Sequence, residues 1–96
     1  MASGYWVMTF RSISDQAGVD RYAAAAGPVI RAQGGRVLAA GVPTYTYEAG
    51  TPQRVAIVEF SSLEAADAAY RSPEYQAAVQ HLVGAAERDV RLVEGA

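Results

Sequence analysis

The sequence contains no cysteine, no lysine and a single histidine among its 96 residues. Without cysteine the chain forms no disulfide scaffold, no cysteine-ligated zinc site and no thiol nucleophile. No run approaches the roughly 18–20 consecutive apolar residues of a membrane helix, and the N-terminus lacks the residue order of a secretory signal. The absence of a membrane helix and of a secretory signal predicts a cytoplasmic protein with no membrane partner, whereas the absence of cysteine fits any compartment.

Positive charge is also scarce, because eight arginines face ten acidic residues and the formal net charge is −2. Surfaces that bind nucleic acid carry excess positive charge. The balance therefore argues against a nucleic-acid partner, including RNA bound on an open sheet, where aromatic residues stand beside basic ones. The alanine-rich, lysine-free composition is typical of GC-rich coding and indicates a bacterial source.

The length leaves room for one domain, residues 1–96. A hydrophobic fraction of 51% and a charged fraction of 19% are typical of a globular protein. A chain this short buries only about 60–65% of its unfolded surface. Its core is thin, and pairing with a second copy would add to it.

Hydrophobic periodicity divides the chain into strands and helices. Alternating or continuous apolar residues predict strands over residues 4–11, 36–40, 54–60 and 90–93. Apolar stripes of helical period predict one helix from about residue 16 to 33 and a second from about 62 to 82. Residues 41–53 are predicted to be a loop or a hairpin arm, in which Tyr45 and Tyr47 alternate as in a strand. We expect these two tyrosines at an interface between copies; the alternative is that they line a pocket.

Capping residues refine the helix boundaries. Ser14 or Asp15 is expected to cap the first helix, and Gly34 to follow its end. Pro28 is expected to kink that helix or to restart it. In the second helix, Ser61 and Glu64 form the pattern of a capping box, and the Ser72-Pro73 pair predicts a restart.

The resulting order of elements predicts an α+β, ferredoxin-like βαββαβ fold, with a four-stranded antiparallel sheet and two helices on one face. The first strand carries Trp6, Met8 and Phe10 on one face and Val7 on the other. Helices cover only one face, so the apolar residues of the other face need a partner. We expect a second copy of the chain to cover them, as in a dimeric α/β barrel.

Two titratable residues are candidates for catalysis. Glu59 lies in the most apolar strand on the face of Val55 and Ile57, where a carboxylate is neutral or paired and often transfers protons. The alternative is a structural ion pair with Arg36 or Arg54, or a strand end at which the carboxylate reaches solvent. His81 has an unperturbed pKa near neutrality and is a candidate general base; the alternative is a solvated helix flank. A lone histidine does not form a metal site, which needs about three protein ligands.

Aromatic residues and arginines are the candidates for substrate binding. Aromatic walls with polar tips suit small organic ligands, and Arg36 or Arg54 would hold an anionic group. The alternative is that the aromatic residues form an ordinary core. No nucleotide, metal or flavin motif is present, so no cofactor is predicted. The candidate wall consists of Tyr5, Trp6, Tyr22, Tyr70 and Tyr75.

An ordered set of short motifs resembles the DUF1330 family over nearly the whole chain, from Gly4 to Gly95. The resemblance implies a dimeric α+β barrel, related in fold to antibiotic-biosynthesis monooxygenases and EthD-like proteins, but it implies no activity. Members often carry an arginine near positions 82–83, where this chain has Leu82 and Val83. The motifs are Gly4-Tyr5-Trp6-Val7, Tyr22, Gly34-Gly35-Arg36-Val37-Leu38-Ala39, Gly41-Val42-Pro43, Glu48-Ala49-Gly50, Arg54-Val55-Ala56-Ile57-Val58-Glu59-Phe60, Ser72-Pro73-Glu74-Tyr75-Gln76 and Val93-Glu94-Gly95.

Two functions follow as hypotheses. In the first, the chain binds a small molecule of bacterial metabolism between sheet and helices, as a cofactor-independent enzyme for oxygenation, isomerisation or cyclisation. Glu59 would then be the acid/base, and fold analogy alone suggests the reaction types. In the second, it is a non-catalytic homodimeric module.

Overall fold

The first strand of the computed structural model, β1 (Gly4–Ile13), alternates as its sequence predicts, and it lies between two neighbours. The model describes residues 2–96, so Met1, the first residue of the predicted domain, lies outside the described residues. The remaining elements are α1 (Gln16–Ala32), β2 (Arg36–Gly41), β3 (Val55–Phe60), α2 (Leu63–Arg71), α3 (Pro73–Val79), a 3₁₀ turn (Gln80–Leu82) and β4 (Ala86–Glu94).

The four strands form one antiparallel sheet in the order β2-β3-β1-β4. This order and the βαββαβ succession confirm the predicted α+β, ferredoxin-like fold. Three strands are longer than predicted, because β1 continues to Ile13, β2 continues to Gly41, and β4 begins at Ala86 and ends at Glu94. The strand β3 is one residue shorter, since it begins at Val55. Among residues 2–96, no helix is both long and apolar enough to span a bilayer.

The helix α1 begins at the predicted residue, ends one residue earlier than predicted, and continues through its proline. The Asp15 side chain accepts a hydrogen bond from the Ala17 amide at 3.1 Å. Beyond the last turn Gly34 has a φ of 88°, a conformation that glycine adopts without strain. The predicted restart at Pro28 is wrong, since α1 is a single helix. Gly27 precedes the proline and has no Cβ to clash with its ring.

The second helical region begins one residue later than predicted. Ser62, not Ser61, caps α2 by accepting a hydrogen bond from the Ala65 amide at 3.0 Å. The predicted capping box is therefore wrong, because the third helical residue is alanine and offers no carboxylate to the cap. The predicted restart is confirmed, since Ser72 accepts from the Tyr75 amide and Pro73 opens α3.

Residues 42–54 form a loop without strand pairing, so the hairpin-arm alternative is wrong and the loop prediction is confirmed. Gly41, with a φ of 151°, lies where the chain leaves the edge strand β2. Tyr45 and Tyr47 are each 78% exposed in the single chain.

The core lies between the sheet and the helices, on what we call the helix face of the sheet. Trp6 is fully buried, with its ring centre 4.9 Å from that of Phe60 and 4.7 Å from that of Tyr75. Its indole N–H donates to the Ala66 carbonyl at 2.8 Å. The other buried core residues are Met8, Phe10, Val19, Tyr22, Ala26, Ile30, Val58, Ala66, Ala69, Ala78 and Leu82.

Strand alternation sends the intervening residues to the opposite side, which we call the open face. Val7 on β1 stands opposite Ile57 on β3 and Arg91 on β4. In one chain Val7 and Ile57 are half-buried, whereas Val58 on the helix face is 1% exposed. The apolar residues that led us to expect a second covering layer are therefore on the face without helices.

Candidate functional site

A cleft of about 130 Å³ lies between α1 and the helix face of the sheet. It exists because α1 presents small residues there, Ala23, Ala26 and Gly27, in place of larger side chains. Its walls are mostly apolar. On the sheet side they comprise Met8, Phe10, Val37, Ala40, Ala56 and Val58, and on the helix side also Val19, Tyr22 and Ile30.

Two arginines are the charged residues of this cleft, and none of the described residues that line it is acidic. Phe10 stands between them in the sheet, since its amide donates to the Arg54 carbonyl at 2.9 Å and its partner on β4 is Arg88. Adjacent strands lie about 4.8 Å apart. The two backbones that carry the arginines are thus about 10 Å apart across one row of the sheet.

Arg88 is held in place by three neighbours at the cleft wall. Its Nη1 donates to the hydroxyl oxygens of Tyr22 at 3.1 Å and Tyr75 at 3.2 Å, and contacts Met8 Sδ at 3.3 Å. The two tyrosine oxygens lie 2.5 Å apart. The guanidinium carbon also lies 4.8 Å from the ring centre of Tyr22, a cation–π contact. These contacts orient the guanidinium group before any ligand arrives.

Burial raises the pKa of the Tyr75 hydroxyl above its ordinary value, because the interior disfavours a phenolate. Tyr75 therefore stays protonated at neutral pH. The Arg88 charge is accordingly not neutralised by Tyr75.

Sequence reasoning missed Arg88. The predicted last strand began at residue 90, and the signal lay two residues earlier. Arg88, Val90 and Leu92 alternate along β4, and Val90 and Leu92 pack against the core. A charged residue on the same strand face as buried apolar residues indicates a functional or paired group. A predicted strand that began two residues earlier would have included Arg88.

The structure divides the predicted substrate-binding residues among three places. Tyr22 and Arg54 line the cleft, and Tyr75 reaches the Arg88 cluster through its hydroxyl. Trp6 is fully buried in the core beside Tyr75. Tyr5 and Arg36 contact Glu59, whose strand position faces away from the helices.

The two candidate catalytic residues lie outside the cleft. His81 is exposed on the 3₁₀ turn after α3. Glu59 alternates with the buried Val58 and Phe60 and belongs to the open face. Glu59 and Trp6, which were predicted to share one pocket, therefore lie on opposite faces of the sheet.

Glu59 is part of a hydrogen-bonded cluster at one end of the open face. Arg36 Nη2 donates to its Oε1 at 2.7 Å, and the Tyr5 hydroxyl donates to its Oε2 at 2.9 Å. The hydrogen bond from Arg36, followed by that from Tyr5, lowers the pKa of this carboxyl below its ordinary value. Glu59 is therefore a carboxylate at neutral pH, in the ion pair that was the structural alternative.

We expect Glu59→Gln to destabilise the fold at neutral pH and to lose that effect in acid. A lowered pKa in the folded chain means that the ionised carboxylate stabilises the fold above its unfolded pKa. This contribution is lost as the pH falls through the folded pKa. Urea unfolding of both proteins at neutral pH and in acid below the folded pKa of Glu59 measures it.

The matched control is Glu48→Gln in the exposed loop, which should match the wild type at both pH values. If Glu59→Gln lowers the free energy of unfolding by as much in acid as at neutral pH, the ion-pair explanation is contradicted.

The sequence profile of one family, described as "Domain of unknown function (DUF1330)", matches residues 3–96. The chain belongs to the DUF1330 family. This confirms the resemblance seen in the motifs. No curated protein matches this DUF1330 chain.

Solved structures resemble the DUF1330 chain over nearly its whole length. A Rhodopseudomonas palustris protein of unknown function, RPA0582, is 24% identical with a TM-score of 0.68, covering 97% of this chain and 80% of that one. A dimeric ferredoxin-like protein of unknown function from Thermobifida fusca is 14% identical with a TM-score of 0.68, covering 96% and 90%. SnoaB, a cofactor-independent oxygenase from Streptomyces nogalater, is 14% identical with a TM-score of 0.70, covering 97% and 92%. At these identities the likeness shows the fold alone.

Proposed function

We propose that this protein binds a small organic molecule in the cleft between α1 and the sheet, as a cofactor-independent enzyme of bacterial cytoplasmic metabolism. The observation that carries the proposal is an apolar cleft with convergent polar groups at its wall, namely Arg54, Arg88 and Tyr22. Such a combination is the usual form of a small-molecule site. The fold it shares with SnoaB supports the absence of a cofactor by analogy.

The groups at the wall suit reactions in which negative charge develops on an oxygen. The fixed Arg88 guanidinium stabilises such an oxygen electrostatically without reorganising. The Tyr22 hydroxyl accepts from Arg88 Nη1 at 3.1 Å and shares a hydrogen bond with the Tyr75 hydroxyl. When Tyr75 is the donor of that shared bond, Tyr22 can donate a hydrogen bond or a proton to a ligand. Oxygenation, isomerisation and cyclisation of an enolisable ring compound all pass through an anion of this kind.

Thermal unfolding with a panel of single-ring compounds tests the proposal. A ligand at about ten times its dissociation constant stabilises the fold by about 1.4 kcal/mol, which raises the melting temperature measurably. We expect at least one of phenol, benzyl alcohol, benzoate and salicylate to do so at about 10 mM.

Ala23→Leu should abolish this shift, because Ala23 lines the cleft and leucine would fill its mouth. Ala24→Leu is the matched control on the exposed side of the same helix, and it should bind as the wild type does. The absence of any shift in the wild type, or an undiminished shift in Ala23→Leu, would refute binding in the cleft.

A second candidate, a non-catalytic homodimeric module, is favoured by the open face. The relatives from Thermobifida fusca and Bacteroides fragilis are described as dimeric. In this chain the open face carries Val7, Val55 and Ile57, which remain half-buried in one copy. The exposed Tyr45 and Tyr47 line a hollow together with Val55 of that face. A second copy packed on the open face would cover these residues, and the cleft would remain on the other side of the sheet.

A further inference from the structure

The two arginines of the cleft lack acidic partners. Five ion pairs form within residues 2–96, and neither Arg54 nor Arg88 takes part in any of them. The protein as a whole is acidic, with ten acidic residues against eight arginines. Two uncompensated cations in one apolar cleft of an acidic protein therefore need an explanation.

Arg88 also keeps unused hydrogen-bond donors. Its three contacts all involve Nη1. Within the described residues, Nε and Nη2 of Arg88 donate to no acceptor. Every buried side-chain nitrogen in this part of the chain has a hydrogen-bond partner, so Nε and Nη2 are not buried. These two donors are therefore accessible from outside the protein. A guanidinium edge with free N–H groups matches the two oxygens of a carboxylate.

The remainder of the cleft suits an apolar ring. Apart from the arginines, its lining consists of aliphatic and aromatic residues and Tyr22. An apolar cavity of about 150 Å³ holds one benzene ring, which is close to the cleft's volume of about 130 Å³. The site thus combines space for a single ring with cationic groups at its wall.

We propose that the ligand is a small organic acid, with its anionic oxygens on Arg88 and Arg54 and its ring beside Phe10. This inference rests on the proposed function, because it names the class of ligand for the same cleft. Arg88 binds the anion through its free donors, while Tyr22 and Tyr75 hold the guanidinium in place. Arg54, on the other side of Phe10, adds a second positive charge.

Benzoate and benzyl alcohol are matched probes, because they share a ring and differ in charge. Their affinities are measured by NMR titration of the labelled protein near neutral pH. Hydrogen bonds to charged groups contribute about 1.5–3 kcal/mol, so we expect benzoate to bind about tenfold more tightly or better. Arg88→Gln should bring benzoate close to the affinity of benzyl alcohol, and should weaken benzoate binding at least about threefold more than it weakens benzyl alcohol binding.

Arg71→Gln, on the exposed side of α2, is the control and should leave both affinities unchanged. Arg54→Gln provides a second test if Arg88→Gln does not fold, since no hydrogen bond or ion pair ties the Arg54 side chain to the described fold. This variant should raise the dissociation constant for benzoate about threefold or more. The organic-acid proposal would be overturned if the wild type bound both probes equally, or if either cleft variant kept the full affinity for benzoate. The cleft would in that case still be a binding site. Binding of neither probe would overturn the organic acid, and if phenol and salicylate failed to bind as well, the cleft would be excluded as a binding site.

Discussion

Replacing Trp6 with alanine is expected to lower the free energy of unfolding by about 3–5 kcal/mol. Trp6 is fully buried, and its ring packs against Phe60, Tyr70 and Tyr75. The substitution removes these contacts and the indole hydrogen bond to the Ala66 carbonyl, and it leaves a cavity in the centre of the core. The free energy of unfolding of a whole domain is only about 5–15 kcal/mol, so the variant should be marginally stable or unfolded.

Urea unfolding followed by circular dichroism measures this effect without relying on tryptophan fluorescence. Val83→Ala is the control, because it also truncates a hydrophobic side chain, but one that is 74% exposed in the turn before β4. We expect that control to change stability by less than about 0.5 kcal/mol. A loss of less than about 1 kcal/mol in Trp6→Ala would show that Trp6 is not the centre of the core and would reopen its predicted role in a ligand pocket.

Ile57→Arg is expected to convert a dimer into a monomer. If two copies meet through their open faces, the wild type sediments at micromolar concentration with twice the 10.1 kDa mass of one chain. Ile57 lies near the middle of that face, opposite Val7 and Ala39. A symmetric interface contains each substitution twice, and burying an unpaired charge costs several kcal/mol. The dissociation constant should therefore rise about a hundredfold or more.

Val83→Arg is the control, since it also replaces a branched aliphatic residue with arginine, but at a position that is 74% exposed and lies in the turn before β4. It should sediment as the wild type does. A wild-type particle of 10.1 kDa, or an Ile57→Arg variant that remains dimeric, would exclude a dimer formed through the open face.

Local signals predicted the boundaries of the elements well. The sequence predicts Ser72 as a cap and Asp15 as one of two candidate caps, because the hydrogen bonds of a cap span only two or three residues of sequence. The errors were also local. Ser61 and Ser62 are adjacent and both suit a cap, so the predicted start of α2 is wrong by one residue. The predicted restart of α1 at Pro28 is wrong because Gly27 has no Cβ to clash with the proline ring.

The site was less predictable, because strand alternation sorts residues into two faces without saying which face the helices cover. Glu59 was correctly grouped with Val55 and Ile57, and its pairing with Arg36 was one of the alternatives left open. That this group faces away from the cleft follows from the packing of the helices against Trp6, Met8 and Phe10.

The sequence by itself determined the succession of strands and helices, the family, and the presence of apolar residues on both faces of the sheet, since periodicity and caps act over a few residues. Only the tertiary structure placed Arg54 beside Phe10 and Arg88 against Tyr22 and Tyr75. These residues are far apart in the chain and meet through the register of three strands and the docking of two helices. Sheet register and helix docking are decided by the packing of the whole core, which no short stretch of sequence contains.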